Sequence, residues 1–177
     1  MKKETIVAIA SSIAIISAVA YSAINYYAIE NLNFRLYGKE KFSFYSISNG
    51  KLEACNTLPV PATLIRYDAE IIYQSNKLAT FSTSGIVPPL SSAVLDGKLT
   101  ASEFVPALTY LLYLDSELSG LEVARFDAKQ LRVVTNMETR FLGVIPISIT
   151  KEYSAYEFVS LMKQDDNSFG CQNVNQN

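Results

Sequence analysis

Hydrophobic and polar positions follow different rules in different parts of this chain. Residues 5–29, TIVAIASSIAIISAVAYSAINYYAI, contain no charged side chain and present no polar face. A helix of that length rises about 37 Å, enough to cross a hydrocarbon layer of about 30 Å. The strongly apolar part spans 6–20, and Tyr21, Tyr26 and Tyr27 follow where an interfacial aromatic belt belongs. Met1-Lys2-Lys3 supplies the positive flank that stays on the cytoplasmic side. The pattern therefore predicts a single membrane anchor over 1–30 and places residues 31–177 outside the cell membrane. A cleaved signal sequence is the competing reading, with Lys2-Lys3, an apolar stretch over 6–17 and a small-residue site at Ala18-Val19-Ala20. Uncharged sequence continues beyond that site through Ile29, which an anchor explains and a signal sequence does not. A buried core helix is a third reading, opposed by the missing polar face.

After the anchor the period becomes two. Ile65, Tyr67, Ala69, Ile71 and Tyr73 alternate with Arg66, Asp68, Glu70 and Gln74, Ile72 being the exception. This predicts a half-buried antiparallel strand, a tight turn at Ser75-Asn76 and a returning strand over 78–83. Ala93, Leu95, Gly97 and Leu99 repeat the alternation, and so do Phe141, Gly143, Ile145, Ile147 and Ile149. Weaker strand candidates cover 33–37, 42–47, 51–56, 121–126 and 130–135. Asn49-Gly50, Pro88-Pro89, Asp127-Ala128 and Asn136 separate the strands as turn signals. One helix interrupts the pattern, capped by Ser102, with Phe104, Leu108, Leu111, Leu112 and Leu118 as its apolar stripe and Gly120 as its stop. The fold class is mainly β: strands this short at this spacing read as an antiparallel sandwich or barrel over 31–162, with one crossover helix. A polar tail follows over 163–177, disordered unless something ties it down.

Composition narrows the chemistry. Hydrophobic residues make up 49 %, charged residues 18 %, and the net charge is −2 with no basic stripe. Nucleic acid is not an expected partner. Histidine is absent, which excludes Ser-His and Cys-His nucleophile pairs and the usual zinc, copper and non-haem iron sites. Asp68 and Glu70 sit beside Arg66 and read as a solvated face. Asp165-Asp166 match no calcium loop. The glycines are isolated, so no phosphate cradle is present, and no cofactor or metal is expected. The two cysteines, Cys55 and Cys171, are either a disulfide pinning the tail to the sandwich or two unpaired thiols. A disulfide closing so long a loop is worth roughly 4–5 kcal/mol in the chain-entropy account.

The segment LEACNTLPVPATLIRYDAEIIYQSNKLATF resembles the second class of late-embryogenesis-abundant proteins, which carry the water-stress and hypersensitive-response domain. Such domains open with a strand, an Asn-Pro bend, an alternating strand and a short turn. Asn56, Pro59 and Pro61 would form the bend here, with the family's adjacent Asn-Pro stretched to Asn56-Thr57-Leu58-Pro59. IVPPLSSAVLDGKLT and METRFLGVIPISITKEY resemble later steps, so the likeness covers about residues 32–160. It implies an immunoglobulin- or fibronectin-like antiparallel β-sandwich and a desiccation- or osmotic-stress role. Without any family, Pro59 and Pro61 still mark where the chain leaves one strand before the next, since proline cannot donate to a ladder.

Three functions compete. A non-enzymatic, membrane-anchored interaction or structural module leads, in one form an accessory subunit of a membrane complex. In that form Ala8, Ser11, Ser12 and Ala18 allow another helix to approach, and a partner predicts an apolar patch on the sandwich or on helix 103–118. A stress-protective protein without stable partners is second. An enzyme with an unrecognised site is third.

Overall fold

The computed structural model describes residues 3–38, 43–44, 50–101, 103–121, 126–164 and 166–171. The apolar run folds as one helix, α1, over Lys3–Glu30. Residues 5–21 are exposed on every side, and burial begins at Ser22.

Beyond α1 the chain is mainly β. Seven antiparallel strands occur among the described residues: β1 Asn33–Leu36, β2 Lys51–Asn56, β3 Ala62–Tyr73, β4 Asn76–Val87, β5 Ser91–Thr100, β6 Leu131–Phe141 and β7 Ile145–Ser154. They pair in the order β1-β2-β5-β4-β3-β6-β7. Strand β5 serves two neighbours, with residues 91–96 on β2 and 97–100 on β4. The sheet curls there and brings β1 back over β3. The Phe34 and Tyr67 ring centroids lie 4.7 Å apart, although three strands separate β1 from β3 along the sheet. The two layers of the expected sandwich are thus two lobes of one curled sheet. Gly97 stands at the change of neighbour, where a β-carbon would overlap the Phe81 ring. Only glycine fits under that ring.

Among the described residues three further α-helices follow, α2 Phe104–Leu118, α3 Ala155–Met162 and α4 Asp166–Phe169, with a short 3-10 turn over Ala128–Gln130. Helix α2 is the crossover between β5 and β6. Helix α3 touches both β1 and β7, the two outer strands, and buries Ala155, Phe158, Val159 and Met162. It starts in a capping box: the Ser154 hydroxyl accepts from the Glu157 N–H, and the Glu157 carboxylate accepts from the Ser154 N–H. The carboxylate also accepts from the Ser154 hydroxyl at 2.8 Å, and the backbone bond first and this hydroxyl bond second hold the Glu157 pKa below its ordinary value.

Several expectations are corrected. Leu64 and Ala62 are buried, whereas Ile65 is only half-buried, because a bulge at Ile65-Arg66 shifts the face within β3. The tight turn is Gln74-Ser75, both with positive φ (48° and 71°), and Asn76 already pairs with Tyr73. Phe141 and Ile149 belong to different strands, because Leu142-Gly143-Val144 form a hairpin between β6 and β7. On α2 the inward positions are Ala107, Leu111 and Leu114, while Leu112 faces out. The N-cap of α2 is Glu103, with no side-chain cap bond, and Ser102 lies outside the described residues. Gly120 does stop the helix: at φ 87° it donates to the Glu117 carbonyl, while Leu121 donates to that of Ser116. The candidate strands over 42–47 and 121–126 lie mostly outside the described residues, as do Asn49 and Asp165.

Candidate functional site

The structural feature with functional content is the root of α1, where an exposed apolar helix becomes part of a folded domain. Thr5–Glu30 is long and apolar enough to cross a membrane, with mean hydropathy 2.1. Over the last three turns, Ser22, Asn25, Ala28 and Ile29 turn one face to the sheet and are buried. The polar pair makes the joint specific. The Asn25 amide donates to the Thr139 hydroxyl at 2.8 Å, and its oxygen accepts the Thr63 N–H at 2.8 Å. Thr139 then donates to the Thr63 carbonyl at 3.0 Å, closing a three-residue ring between α1, β3 and β6. The Ser22 hydroxyl accepts the Leu142 N–H at 2.9 Å and donates to the Ala18 carbonyl. At the far end of the helix, Lys151 Nζ donates to the Glu30 carbonyl at 3.1 Å, a cation on a helix C-terminus. The span therefore meets the sheet through buried, satisfied hydrogen bonds and not through a linker.

Sequence reasoning missed this joint. Its signal was nevertheless present: Ser22 and Asn25 are three apart, followed by Ala28-Ile29, a helical spacing for one buried face. Ala8, Ser11, Ser12 and Ala18 are all exposed, as α1 projects from the domain. At 100° per residue they share about a third of the helix circumference.

Cys55 and Cys171 are joined in a disulfide, with Cα atoms 5.7 Å apart and a sequence separation of 116. Together with Phe169, which is fully buried, they pin the tail as far as Cys171. Arg35 lies 4.1 Å from the centre of the Phe169 ring and pairs with Glu53 at 2.8 Å, both side chains nearly buried. Among the bend residues, Asn56 is the organiser. Its amide donates to the carbonyls of Val60 at 2.6 Å and Pro88 at 3.2 Å, and its oxygen accepts the Leu58 N–H. Pro59 is exposed and Pro61 half-buried, flanking the turn that Asn56 ties.

The carboxylates do not converge. Asp68 is buried, not solvated, accepting from Ser82 at 2.7 Å and pairing with Arg66 at 2.7 Å. Glu70 pairs with Lys77 at 3.0 Å. Among the described residues no group of His, Cys, Asp and Glu is arranged to hold a metal. A cavity of about 210 Å³ opens between the end of α1 and the sheet, lined in part by Asn33, Tyr67, Lys151, Tyr153 and Gln164. That is below the usual size of a small-molecule site. Burial pushes the Tyr67 hydroxyl above its ordinary range, and nearby Tyr153 adds to this. Burial also raises Tyr153, against a hydrogen bond to Thr135. Both stay protonated at neutral pH and are not poised as bases.

No protein-family model matches the chain, and no curated protein does either.

Proposed function

We propose that this chain is a non-enzymatic, single-pass membrane protein whose β domain stands outside the cell membrane on an uncleaved helix, as an accessory subunit of a membrane complex. The observation that carries this reading is the root of α1. Asn25 and Ser22 tie the helix to β3, β6 and the β6–β7 hairpin. A helix so docked holds its domain at a set angle to the bilayer, which suits a structural or interaction module. The Cys55–Cys171 disulfide supports an oxidising, extracytoplasmic compartment, and Lys2-Lys3 supports a cytoplasmic N-terminus. The outward side of α2 offers Val105, Leu112 and Tyr113, exposed by 73, 48 and 42 %, to a partner subunit.

The test is gentle detergent extraction from native membranes, separation on a native gel, and mass spectrometry of co-migrating proteins. A stoichiometric complex is the expected result. Migration alone would remove the subunit reading.

A second reading is a stress-protective protein of the late-embryogenesis-abundant type with an immunoglobulin- or fibronectin-like domain. It is favoured by the succession of β2, the Asn56 bend, β3 and a two-residue turn, in the order the resembled segment implies. It expects no stable partner and accumulation of the protein under osmotic stress.

A further inference from the structure

We infer that the end of the sheet beside α1 is itself a membrane-contacting shelf, seated in the lipid surface by the β6–β7 hairpin and the β4–β5 turn. This rests on the reading that α1 spans the bilayer.

The first argument is placement. Leu142, at the hairpin tip, is hydrogen-bonded to Ser22, the first buried residue of α1. The tip therefore lies where the exposed span enters the domain. Residues 5–21 rise about 25 Å as a helix, some 5 Å short of a hydrocarbon layer of about 30 Å. Immersing the full thickness brings the level of Ser22, and the hairpin beside it, down to the lipid boundary.

The second argument is chemistry. Val144 is 74 % exposed, Leu90 65 %, Ile86 61 % and Ile145 50 %. The β4–β5 turn reaches the same end of the sheet: Val87 pairs with Ala62, next to the Thr63 that Asn25 holds. Three uncharged runs meet at this end, residues 54–65, 78–95 and 141–150. The opposite end is charged, with Lys77, Asp127, Lys129 and Arg132 around the Gln74-Ser75 turn. Arg140, two residues before the hairpin tip, is exposed and suited to lipid phosphates.

The third argument is backbone conformation. Leu90 and Leu142 both adopt positive φ, 50° and 52°. That region is unfavourable for leucine and ordinarily falls to Gly, Asn or Asp. The chain keeps an exposed leucine at a strained position in each of the two loops. An apolar environment for those side chains gives the choice a physical reason.

The chain has no tryptophan, so single-tryptophan variants report cleanly. The full chain is reconstituted in phosphatidylcholine vesicles whose acyl chains are brominated either near the headgroup or near the chain end. Val144→Trp and Leu90→Trp report on the shelf, Ile13→Trp on the span, and Lys129→Trp on the charged end. We expect shallow bromines to quench most of the fluorescence of Val144→Trp and Leu90→Trp. Deep bromines should quench Ile13→Trp, and neither should affect Lys129→Trp. If either shelf reporter behaves like Lys129→Trp while Ile13→Trp is quenched, the shelf is overturned and the anchor stands. If Ile13→Trp also escapes quenching, the anchor reading fails and the shelf falls with it.

Discussion

Asn25 fills both hydrogen-bonding roles of its amide inside the domain, and nothing else in the joint can replace it. Removing the side chain strands the half-buried Thr63 N–H and takes from the buried Thr139 hydroxyl the donor it accepts from. Asn25→Ala should cost about 2–3 kcal/mol, since a buried unsatisfied group loses about 1–3 kcal/mol. Urea unfolding of the detergent-solubilised protein should show the midpoint falling, at unchanged slope, by that energy divided by the slope; an unchanged midpoint would mean that the ring is not structural. Gly97 is a second residue whose identity is set by one neighbour. Gly97→Ala places a β-carbon in the Phe81 ring and should destabilise by roughly 1–3 kcal/mol. Shrinking the ring relieves the overlap, so Phe81→Leu combined with Gly97→Ala should cost less than the sum of the two single changes. Strict additivity in that cycle would place the cost elsewhere.

Elements were legible in the sequence where one side faces the core and the other faces water. The alternation through β5 folds as read and Gly120 closes α2, whereas residues 51–56, also read as a strand, are buried on both faces from Leu52 to Asn56. The misreadings have local causes. The bulge at Ile65-Arg66 moves the buried face by one residue, which period-two counting cannot register. Leu142 in a left-handed turn hides a hairpin inside an unbroken apolar run. Helix α3 was missed although Ser154 and Glu157 spell its capping box, because its eight residues follow a strand without a break. That box makes a pH prediction. Glu157 has a folded pKa below its ordinary 4.5, so its contribution is present above that value and lost as pH falls through the folded one. Glu157→Gln should therefore flatten the acid limb of the stability profile measured by thermal unfolding; an identical profile would show the cap to be inert. The tail read as polar and loose is held, as far as Cys171, by Phe169 and the disulfide. Replacing Cys55 and Cys171 by serine should lower stability by up to roughly 4–5 kcal/mol and release the tail to limited proteolysis, the closed loop being long. A tail equally resistant in both forms would assign the anchoring to Phe169 alone.

At the scale of the whole molecule, the sequence displayed an apolar helix and a β domain but not their joint. Ser22 and Asn25 were masked by the apolar residues around them, and their partners Thr63 and Thr139 lie far along the chain. The pairing of β3 with β6 sets the two threonines side by side, and α1 packs across both strands. The joint makes anchor and domain one piece, so the fate of residues 1–20 decides the account. Cleavage after Ala20 would leave residues 21–30 docked and remove the exposed span. The most direct measurement is the intact mass of the protein extracted from washed native membranes. The account predicts a mass that includes residues 5–20. A shorter chain beginning at Tyr21, recovered from the soluble fraction, would contradict it.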